Sequence, residues 1–388
     1  MQQILEMVIQ SYGAMGMNAY FDSTGTAEAL TRLLELAAAK PSTRGVMILA
    51  ADANGITAPA IDPVLKSLSI PVIGGVFPQI VYEGAHYDRG TLVIAFEQEP
   101  LVRIMHGLSN PAIDYESWFD EHLPEECNET TMFVWVDGLS TRIGALIDAL
   151  FNVMGLTVNY LGGGAGSLSF EQKPCLFSNQ GLLEDAAILA LIDVESSVGV
   201  KHGWSSVSGP YKVTESAGNV IKTLDWKPAF QVYQEVVEQN AGAAISQDNF
   251  FDLSKGHPFG IKRLDAENLV RDPIVAGDDG SLVCVGDVPP ESFVDILQGS
   301  NDALISAAGE ALQIAESGLD ADRMRTTLLV DCISRVLYLE DDYYRELDMV
   351  NRAGVSMYGA LTLGEIANNG NQYLEFYNKT IVVGLLAD

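Results

Sequence analysis

Short apolar runs that end in an aspartate recur three times along the chain. They lie at residues 46–52, 132–137 and 328–331. Runs of this length, rich in β-branched residues and bounded by turn residues, are typical of buried strands. The recurrence predicts three strands, each with an acidic side chain at its carboxyl end.

A helix is predicted after each strand. The clearest spans residues 143–154, where apolar side chains form one stripe at helical spacing. Ser140 is expected to cap its amino end, and Gly155 is expected to terminate it. In the third copy the helix is expected to begin near residue 341, with three residues facing inward: Tyr344, Leu347 and Val350.

In each copy the helix is followed by a strand that leads into a glycine-containing turn. A further strand follows the turn. The first of these glycines are Gly74, Gly162 and Gly359, which follow the strand-end aspartates by 22, 25 and 28 residues. The repeated unit is therefore strand, helix, strand, turn, strand. Three copies in order predict an α/β (mixed α+β) fold, with two lobes built from these units around mixed sheets.

The segment between the second and third copies has a different pattern. Residues 213–224 predict a hairpin, and Pro228 is expected to open a helix. Residues 240–300 are expected to be loop-rich, with turn signals at Gly256–Gly260 and Gly277–Gly280. We expect a domain boundary near residues 205–225.

The charge balance is strongly acidic. The chain has 52 Asp and Glu against 22 Lys and Arg, a net charge of −30, and it carries no basic patch. Nucleic acid and anionic membranes are therefore poor primary partners, because phosphates must be met by basic side chains. With 48% apolar and only 19% charged residues, the chain is not expected to be disordered.

Targeting signals and metal motifs are not evident. The sequence has no apolar run near the roughly 18–20 residues of a membrane span, and Glu6 interrupts the apolar amino-terminal residues. We therefore expect a cytoplasmic protein without membrane insertion. The four cysteines, at 127, 175, 284 and 332, have no CxxC spacing and are expected to be reduced and mostly buried. No cofactor or metal is expected.

The glycine run Gly162, Gly163 and Gly164 is one candidate binding site. Glycine lets a backbone bring its N–H groups close to an anion such as a carboxylate or phosphate. Neither a Walker pattern nor a GxGxxG motif is present. Close packing where the strand meets the turn is the alternative explanation.

Polar side chains at two strand ends form a second candidate. Asp137, Ser140 and Arg142 follow the second strand, and Arg can bind a carboxylate bidentately. Ligands of parallel sheets bind at the carboxyl ends of strands. Capping of the following helix would explain Asp137 and Ser140 equally well. In the third copy Asp331 is followed by a similar pair, Ser334 and Arg335.

Aromatic and ionisable residues near position 202 form a third candidate. Lys201, His202, Trp204 and Tyr211 would suit a small zwitterion, with the rings facing an ammonium group and Lys201 facing a carboxylate. A structural histidine is the alternative. Glu365, which follows Gly364, is a candidate partner for an ammonium group.

Catalytic motifs are weak. The five histidines have no metal-ligand spacing, and no GxSxG is present. Cys332 would need His202 or His257 as a base, and Glu365 with His202 would form an acid–base pair. A small-metabolite enzyme using one of these sets is the alternative function. A protein-binding scaffold is a third possibility.

Four stretches resemble the FIST family: Asn159–Gly166, Lys201–Trp204 with Gly209–Ser216, Asn219–Ala229, and Tyr358–Ile366 with Leu374–Thr380. The resemblance covers roughly residues 20–388. It implies a FIST N-type domain with two repeat units at 20–218 and a FIST C-type domain with the hairpin, helices and third unit at 219–388. Copy one departs from it, with Pro78-Gln79-Ile80 where copy three has Gly364-Glu365-Ile366.

The resemblance implies a small-ligand sensory module of bacterial signal transduction. Amino acids and related small carboxylates are the expected ligands. The sequence carries no recognisable output domain. We therefore expect a stand-alone sensor that signals in trans to a histidine kinase, a chemoreceptor or a cyclic-dinucleotide signalling protein, and that is not an enzyme.

Overall fold

The repeated unit is longer than the hydrophobic pattern indicates. The computed structural model describes residues 17–124, 130–263, 267–369 and 372–387. In each copy a strand and a helix precede the predicted unit, and a short hairpin fills its turn. The third copy is also interrupted after its first strand by an insertion of residues 205–298.

The first unit comprises β1 (Met17–Asp22), α1 (Ala27–Ala38), β2 (Gly45–Ala51), α2 (Ala58–Ser67), β3 (Val72–Phe77), β4 (Gln79–Tyr82), β5 (Ala85–Tyr87) and β6 (Thr91–Phe96). The second comprises β7 (Leu101–His106), α3 (Tyr115–His122), β8 (Thr131–Asp137), α4 (Ile143–Met154), β9 (Asn159–Ala165), β10 (Leu176–Ser178), β11 (Gly181–Leu183) and β12 (Ala186–Ile192).

The third unit begins with β13 (Ser196–Lys201). The insertion follows, with β14 (Ser205–Ala217), β15 (Val220–Leu224), β16 (Lys227–Pro228), α5 (Ala229–Ala241), α6 (Phe250–Ser254), β17 (Phe259–Ile261), β18 (Leu269–Ala276), β19 (Leu282–Val285) and β20 (Phe293–Gln298). The unit resumes with α7 (Asn301–Ser317), β21 (Met324–Cys332), α8 (Ile333–Leu339), α9 (Tyr343–Val350), β22 (Ser356–Thr362), β23 (Glu365–Asn368), β24 (Leu374–Tyr377) and β25 (Ile381–Ala387).

The three units exchange their hairpins in a cycle. The first sheet has the order β1-β6-β2-β3-β10-β11, the second β7-β12-β8-β9-β23-β24, and the third β13-β25-β21-β22-β4-β5. Four strands of each sheet come from one unit, and the last two come from the hairpin of another. Each sheet contains one parallel pair, β2–β3, β8–β9 or β21–β22, among antiparallel pairs. The mixed α+β fold with mixed sheets is confirmed.

The insertion forms a fourth sheet of its own. Its seven strands have the order β14-β20-β17-β18-β19-β15-β16. The predicted hairpin of residues 213–224 is present as β14–β15. The loop-rich region of residues 240–300 also contains four strands and α6, which the sequence pattern did not predict. One of them, β18, carries Arg271, Asp272 and Pro273 in its centre, and these residues break the apolar pattern that marks a strand.

The exchange joins the two expected domains through shared sheets. The range 20–218 supplies β4, β5 and β13 to the third sheet, and the range 219–388 supplies β23 and β24 to the second. A boundary at 218/219 divides the sequence, but it does not separate the structure into two parts that each have their own sheets.

Glycines at equivalent positions allow the parallel strands to lie close together. Gly74, Gly162 and Gly359 each face the backbone of the parallel neighbour. A Cβ at Gly162 would overlap the carbonyl oxygen of Val134, and the other two glycines have the same geometry. The close approach explains why each return strand enters glycine at this point.

Two helix expectations need correction. Helix α4 begins at Ile143 and is followed by Gly155 as predicted, but Arg142 rather than Ser140 occupies the cap position. The helix expected to begin near residue 341 is α9, which begins at Tyr343 and is preceded by a further short helix, α8. Leu347 and Val350 face inward as predicted, but the buried tyrosine is Tyr343, and Tyr344 is 59% exposed.

Among the described residues, no helix is long and apolar enough to span a bilayer.

Substitution of Gly162 by alanine should destabilise the protein by about 3 kcal/mol, because the new Cβ must displace a backbone carbonyl. Gly144→Ala is the matched control: it lies in α4, and its Cβ would meet only Asp287 Oδ2, at 3.7 Å. Since alanine favours a helix over glycine by about 1 kcal/mol, this variant should be neutral or stabilised. Urea unfolding measures both. Equal stabilities of the two variants would contradict the packing argument.

Candidate functional site

The link between β24 and β25, residues 378–380, belongs to the third unit and makes contacts with the insertion. Lys379 in this link is 1% exposed and forms an ion pair with Asp272 of β18, with Nζ and Oδ2 3.0 Å apart. Its Nζ also donates to the Lys255 carbonyl at 2.9 Å and lies 5.2 Å from the ring centroid of Trp204. Its own carbonyl accepts from Trp204 Nε1 at 3.1 Å. These contacts fix the link against both parts of the chain.

A fully buried arginine lies behind the link. Arg335 donates from Nε and Nη2 to the two carboxylate oxygens of Glu346, at 2.8 and 2.7 Å. Its remaining N–H groups donate to the carbonyls of His202, Leu304 and Lys379, at 2.7, 3.0 and 3.2 Å. All five donors of the guanidinium group are therefore used inside the protein. Arg335 supports the site from behind and has no donor left for a ligand.

Two more buried carboxyl groups adjoin this pair. Tyr343 donates to Asp331 Oδ2 at 2.7 Å, and burial raises the pKa of Asp331 well above its ordinary value. Thr362 donates to Glu365 Oε1 at 2.9 Å, and burial raises the pKa of Glu365 from 4.5 to about 8. Glu365 is thus largely protonated at neutral pH in the folded protein.

Cys332 lies beside Glu365 and is 5% exposed. The Ser334 hydroxyl donates to its sulfur at 3.0 Å, and burial raises the pKa of the thiol. Its described side-chain partners are Ser334 and Glu365 rather than a histidine. The thiolate needed for nucleophilic attack is disfavoured in this environment. Cys175 and Cys284 are likewise free and buried, while Cys127 lies outside the described residues.

A cavity of about 710 Å³ opens where the third unit, the insertion and α4 meet. The lining residues are Asp148, Val200, His202, Arg263, Glu267, Leu269, Pro289, Asn369, Gln372, Tyr373, Glu375, Tyr377 and Thr380. Arg263 pairs with Glu375 through Nε–Oε1 at 2.9 Å and Nη2–Oε2 at 3.1 Å. Lys201 pairs with Glu267. The wall thus carries charges of both signs next to two tyrosine rings.

His202 contributes a neutral donor to this wall. Its Nδ1 accepts the Trp204 backbone N–H at 2.8 Å, so the proton of the neutral ring resides on Nε2. Nε2 lies 3.5 Å from Glu267 Oε2, near the Asn268 backbone, and has no acceptor at good hydrogen-bond geometry among the described residues. Burial lowers the pKa of His202 to about 4, and the ring is neutral at pH 7.

The structure brings some of the sequence-predicted residues to this place. His202 lines the cavity, and Lys201 reaches it through Glu267. Trp204, Arg335 and Glu365 are buried and do not line it, and neither does the half-buried Ser334. Tyr211 is elsewhere, in β14, where its hydroxyl bonds to that of Ser208 at 2.6 Å.

The strand-end residues of the second unit do not line the cavity. The carboxylate of Asp137 accepts from the Leu139 and Asp185 backbone N–H groups at 3.0 and 2.8 Å, and from Gln172 Nε2 at 2.8 Å. Ser140 donates to Asp185 at 2.8 Å.

Arg142 and the glycine run are held by their own surroundings. Arg142 donates to the carbonyls of Asn110 and Ile113 and lies 4.4 Å from the Tyr115 ring centroid. The run Gly162–Gly164 lies within β9, where Gly162 and Gly163 pair with β23. Close packing, the alternative proposed for this run, accounts for these glycines without a ligand.

Several cavity residues escaped sequence reasoning. Arg263, Glu267 and Leu269 lie in the region expected to be loop-rich, and Asp148 lies in α4 with no motif around it. Glu375, Tyr377 and Thr380 belong to a stretch that carries the family resemblance, Leu374–Thr380, but nothing in it marked them as site residues. No cluster of three or more His, Cys, Asp or Glu side chains suited to a metal ion occurs among the described residues.

The mixed α+β fold thus contains, among its described residues, a cavity of the size that small molecules occupy. The FIST N domain family matches residues 47–227 and the FIST C domain family matches residues 229–368. The chain belongs to the FIST family. FIST domains are associated with sensory signal transduction and small-ligand binding. No curated protein matches the chain.

Substitution of Glu365 by glutamine tests the buried carboxyl group through the pH dependence of stability. The folded-state pKa of about 8 exceeds the ordinary 4.5, so this contribution is fully present below pH 4.5 and is lost as pH rises through 8. Relative to Glu365→Gln, the wild type should lose up to about 1.4 kcal/mol of unfolding free energy per pH unit between pH 5 and 8. Urea unfolding at several pH values measures the difference.

Glu35→Gln is the control, since Glu35 is exposed on α1. It should follow the wild-type pH profile throughout. If Glu365→Gln also follows that profile, the carboxyl group is ionised in the folded protein and the argument is wrong.

Proposed function

We propose that this protein is a cytoplasmic sensor that binds a small metabolite in the cavity and signals to a partner protein in trans. The supporting observation is the cavity itself, at the junction of the third unit and the insertion. Its 710 Å³ falls within the 300–1,000 Å³ of small-molecule sites. A few convergent polar groups among apolar walls are also typical of such sites.

The wall suits an amino acid. Arg263 is 40% exposed at its side chain and offers a cation to a carboxylate, while Glu267 and Glu375 offer carboxylates to an ammonium group. The neutral Nε2–H of His202 is a further donor for a carboxylate or carbonyl oxygen. Tyr373 and Tyr377 supply rings for the remainder of the ligand.

A route from the cavity to the surface follows the buried hydrogen bonds. His202 and Thr380 line the cavity, and the carbonyls of His202 and Lys379 both accept from Arg335. Arg335 in α8 is bound in turn to Glu346 in α9. Movement of the cavity wall would therefore shift α8 and α9, where Leu337, Tyr344 and Met349 are exposed. This surface is our candidate contact for a kinase, chemoreceptor or cyclic-dinucleotide signalling protein.

An enzymatic function has less support. The buried thiol of Cys332 and the protonated Glu365 both lie outside the cavity wall. Neither is placed to act on a molecule bound there.

A thermal-shift screen against the twenty amino acids and small carboxylates tests the proposal. At least one compound should raise Tm, because a ligand at a hundredfold excess over Kd adds about 2.7 kcal/mol to the unfolding free energy. Gln372→Trp, which places a large ring in the cavity wall, should abolish the shift. Gln313→Trp, on the exposed face of α7, should retain it. No stabilising compound, or a shift unaffected by Gln372→Trp, would contradict the proposal.

A further inference from the structure

The charges of the cavity do not balance. Its described lining carries three carboxylates, Asp148, Glu267 and Glu375, against one guanidinium group, that of Arg263. Lys201 adds one cation through its pair with Glu267. After the pairs Arg263–Glu375 and Lys201–Glu267 are formed, one carboxylate remains. His202 does not compensate it, because the ring is neutral at pH 7.

Asp148 is the carboxylate left over. It projects from α4 and has no hydrogen bond or ion pair with any described residue, in contrast to the other two. Asp148 is exposed to solvent; desolvation and the nearby Asp287 carboxylate raise its pKa, and Arg263 lowers it. A positively charged group on a ligand would give this carboxylate an ion-pair partner.

A second feature indicates a ligand at the same place. His202 is 7% exposed, lines the cavity, and its Nε2–H has no acceptor at good hydrogen-bond geometry among the described residues, with Glu267 Oε2 3.5 Å away and the Asn268 backbone beside the ring. Buried polar groups are normally paired, and one left open at a cavity wall marks a position for a ligand acceptor atom. The tyrosine rings of Tyr373 and Tyr377 are suited to a neighbouring alkylammonium group.

We propose that the ligand carries an alkylammonium group bound by Asp148, as in a basic amino acid or an aliphatic diamine. This inference rests on the proposed function, that the cavity is the ligand site. In a basic amino acid the α-carboxylate faces His202 and Arg263 and the side-chain ammonium faces Asp148. A diamine meets Asp148 in the same way and lacks the carboxylate.

Calorimetric titration with four probes of similar length tests this proposal at 150 mM salt. The probes are lysine, cadaverine, norleucine and 2-aminoadipate, which differ in the groups at their two ends. Lysine or cadaverine should bind at least tenfold more tightly than norleucine and 2-aminoadipate. Tighter binding of lysine than of cadaverine would show that the carboxylate is recognised, and the reverse order would assign a diamine.

Three variants test whether Asp148 is the carboxylate that binds the ammonium group. Asp148→Asn should weaken lysine or cadaverine binding at least tenfold, and Asp148→Glu should retain it within a few-fold. Asp120→Asn removes an exposed aspartate of α3 outside the cavity wall and should bind as the wild type does. This control separates the site from general attraction to an acidic protein.

Different results overturn the two proposals. Equal or tighter binding of norleucine or 2-aminoadipate, or unchanged binding by Asp148→Asn, overturns the alkylammonium inference and leaves the sensor proposal intact. If none of the four binds while another amino acid does in the wider screen, the inference also fails alone. If nothing binds in either experiment, both fail.

Discussion

The buried ammonium group of Lys379 is the contact on which the candidate site depends. A charge inside a protein is tolerated only when it is paired and hydrogen-bonded. Lys379 finds its partner, Asp272, in the insertion, while its carbonyl accepts from Trp204 and from Arg335 of the third unit. This residue therefore joins the insertion to the third unit, together with the Arg263–Glu375 pair and the hydrogen bonds of Arg271 to Phe376 and Asn378. Its neighbour Thr380 lines the cavity that results.

The cyclic exchange of hairpins makes the three units one framework, and the insertion in the third unit explains where the cavity lies. Each sheet is completed by the hairpin of another unit, so the three share one framework. Only the third unit carries an insertion, and the insertion supplies Arg263, Glu267, Leu269 and Pro289 to the wall. At the position of Glu365, the first unit has Gln79, whose amide bonds to His86 and Asp88 near the surface. The units share a fold, and their polar groups have diverged.

Much of the fold could be predicted from the sequence, because apolar periodicity reports burial directly. The strands ending near residues 52, 137 and 331 and helix α4 were visible in this way. The hairpin exchange was not, because pairing between distant segments leaves no local pattern. The residues of the candidate site were harder to predict than the fold. His202 was identified by its aromatic and basic neighbours, but Arg335 looked like a ligand group and proved to be fully bonded inside the protein. Lys379 lay in a stretch that resembles the family and had no local feature to mark it.

A double-mutant cycle at Lys379 and Asp272, read as the free energy of urea unfolding, tests the central claim most directly. Lys379→Met should cost about 3–5 kcal/mol, because it leaves Asp272 buried without a partner, and addition of Asp272→Asn should recover more than half of that loss. Lys66→Met, which breaks the exposed pair with Asp62, should change stability by less than about 1 kcal/mol. A loss at Lys379 no larger than that at Lys66 would contradict the account.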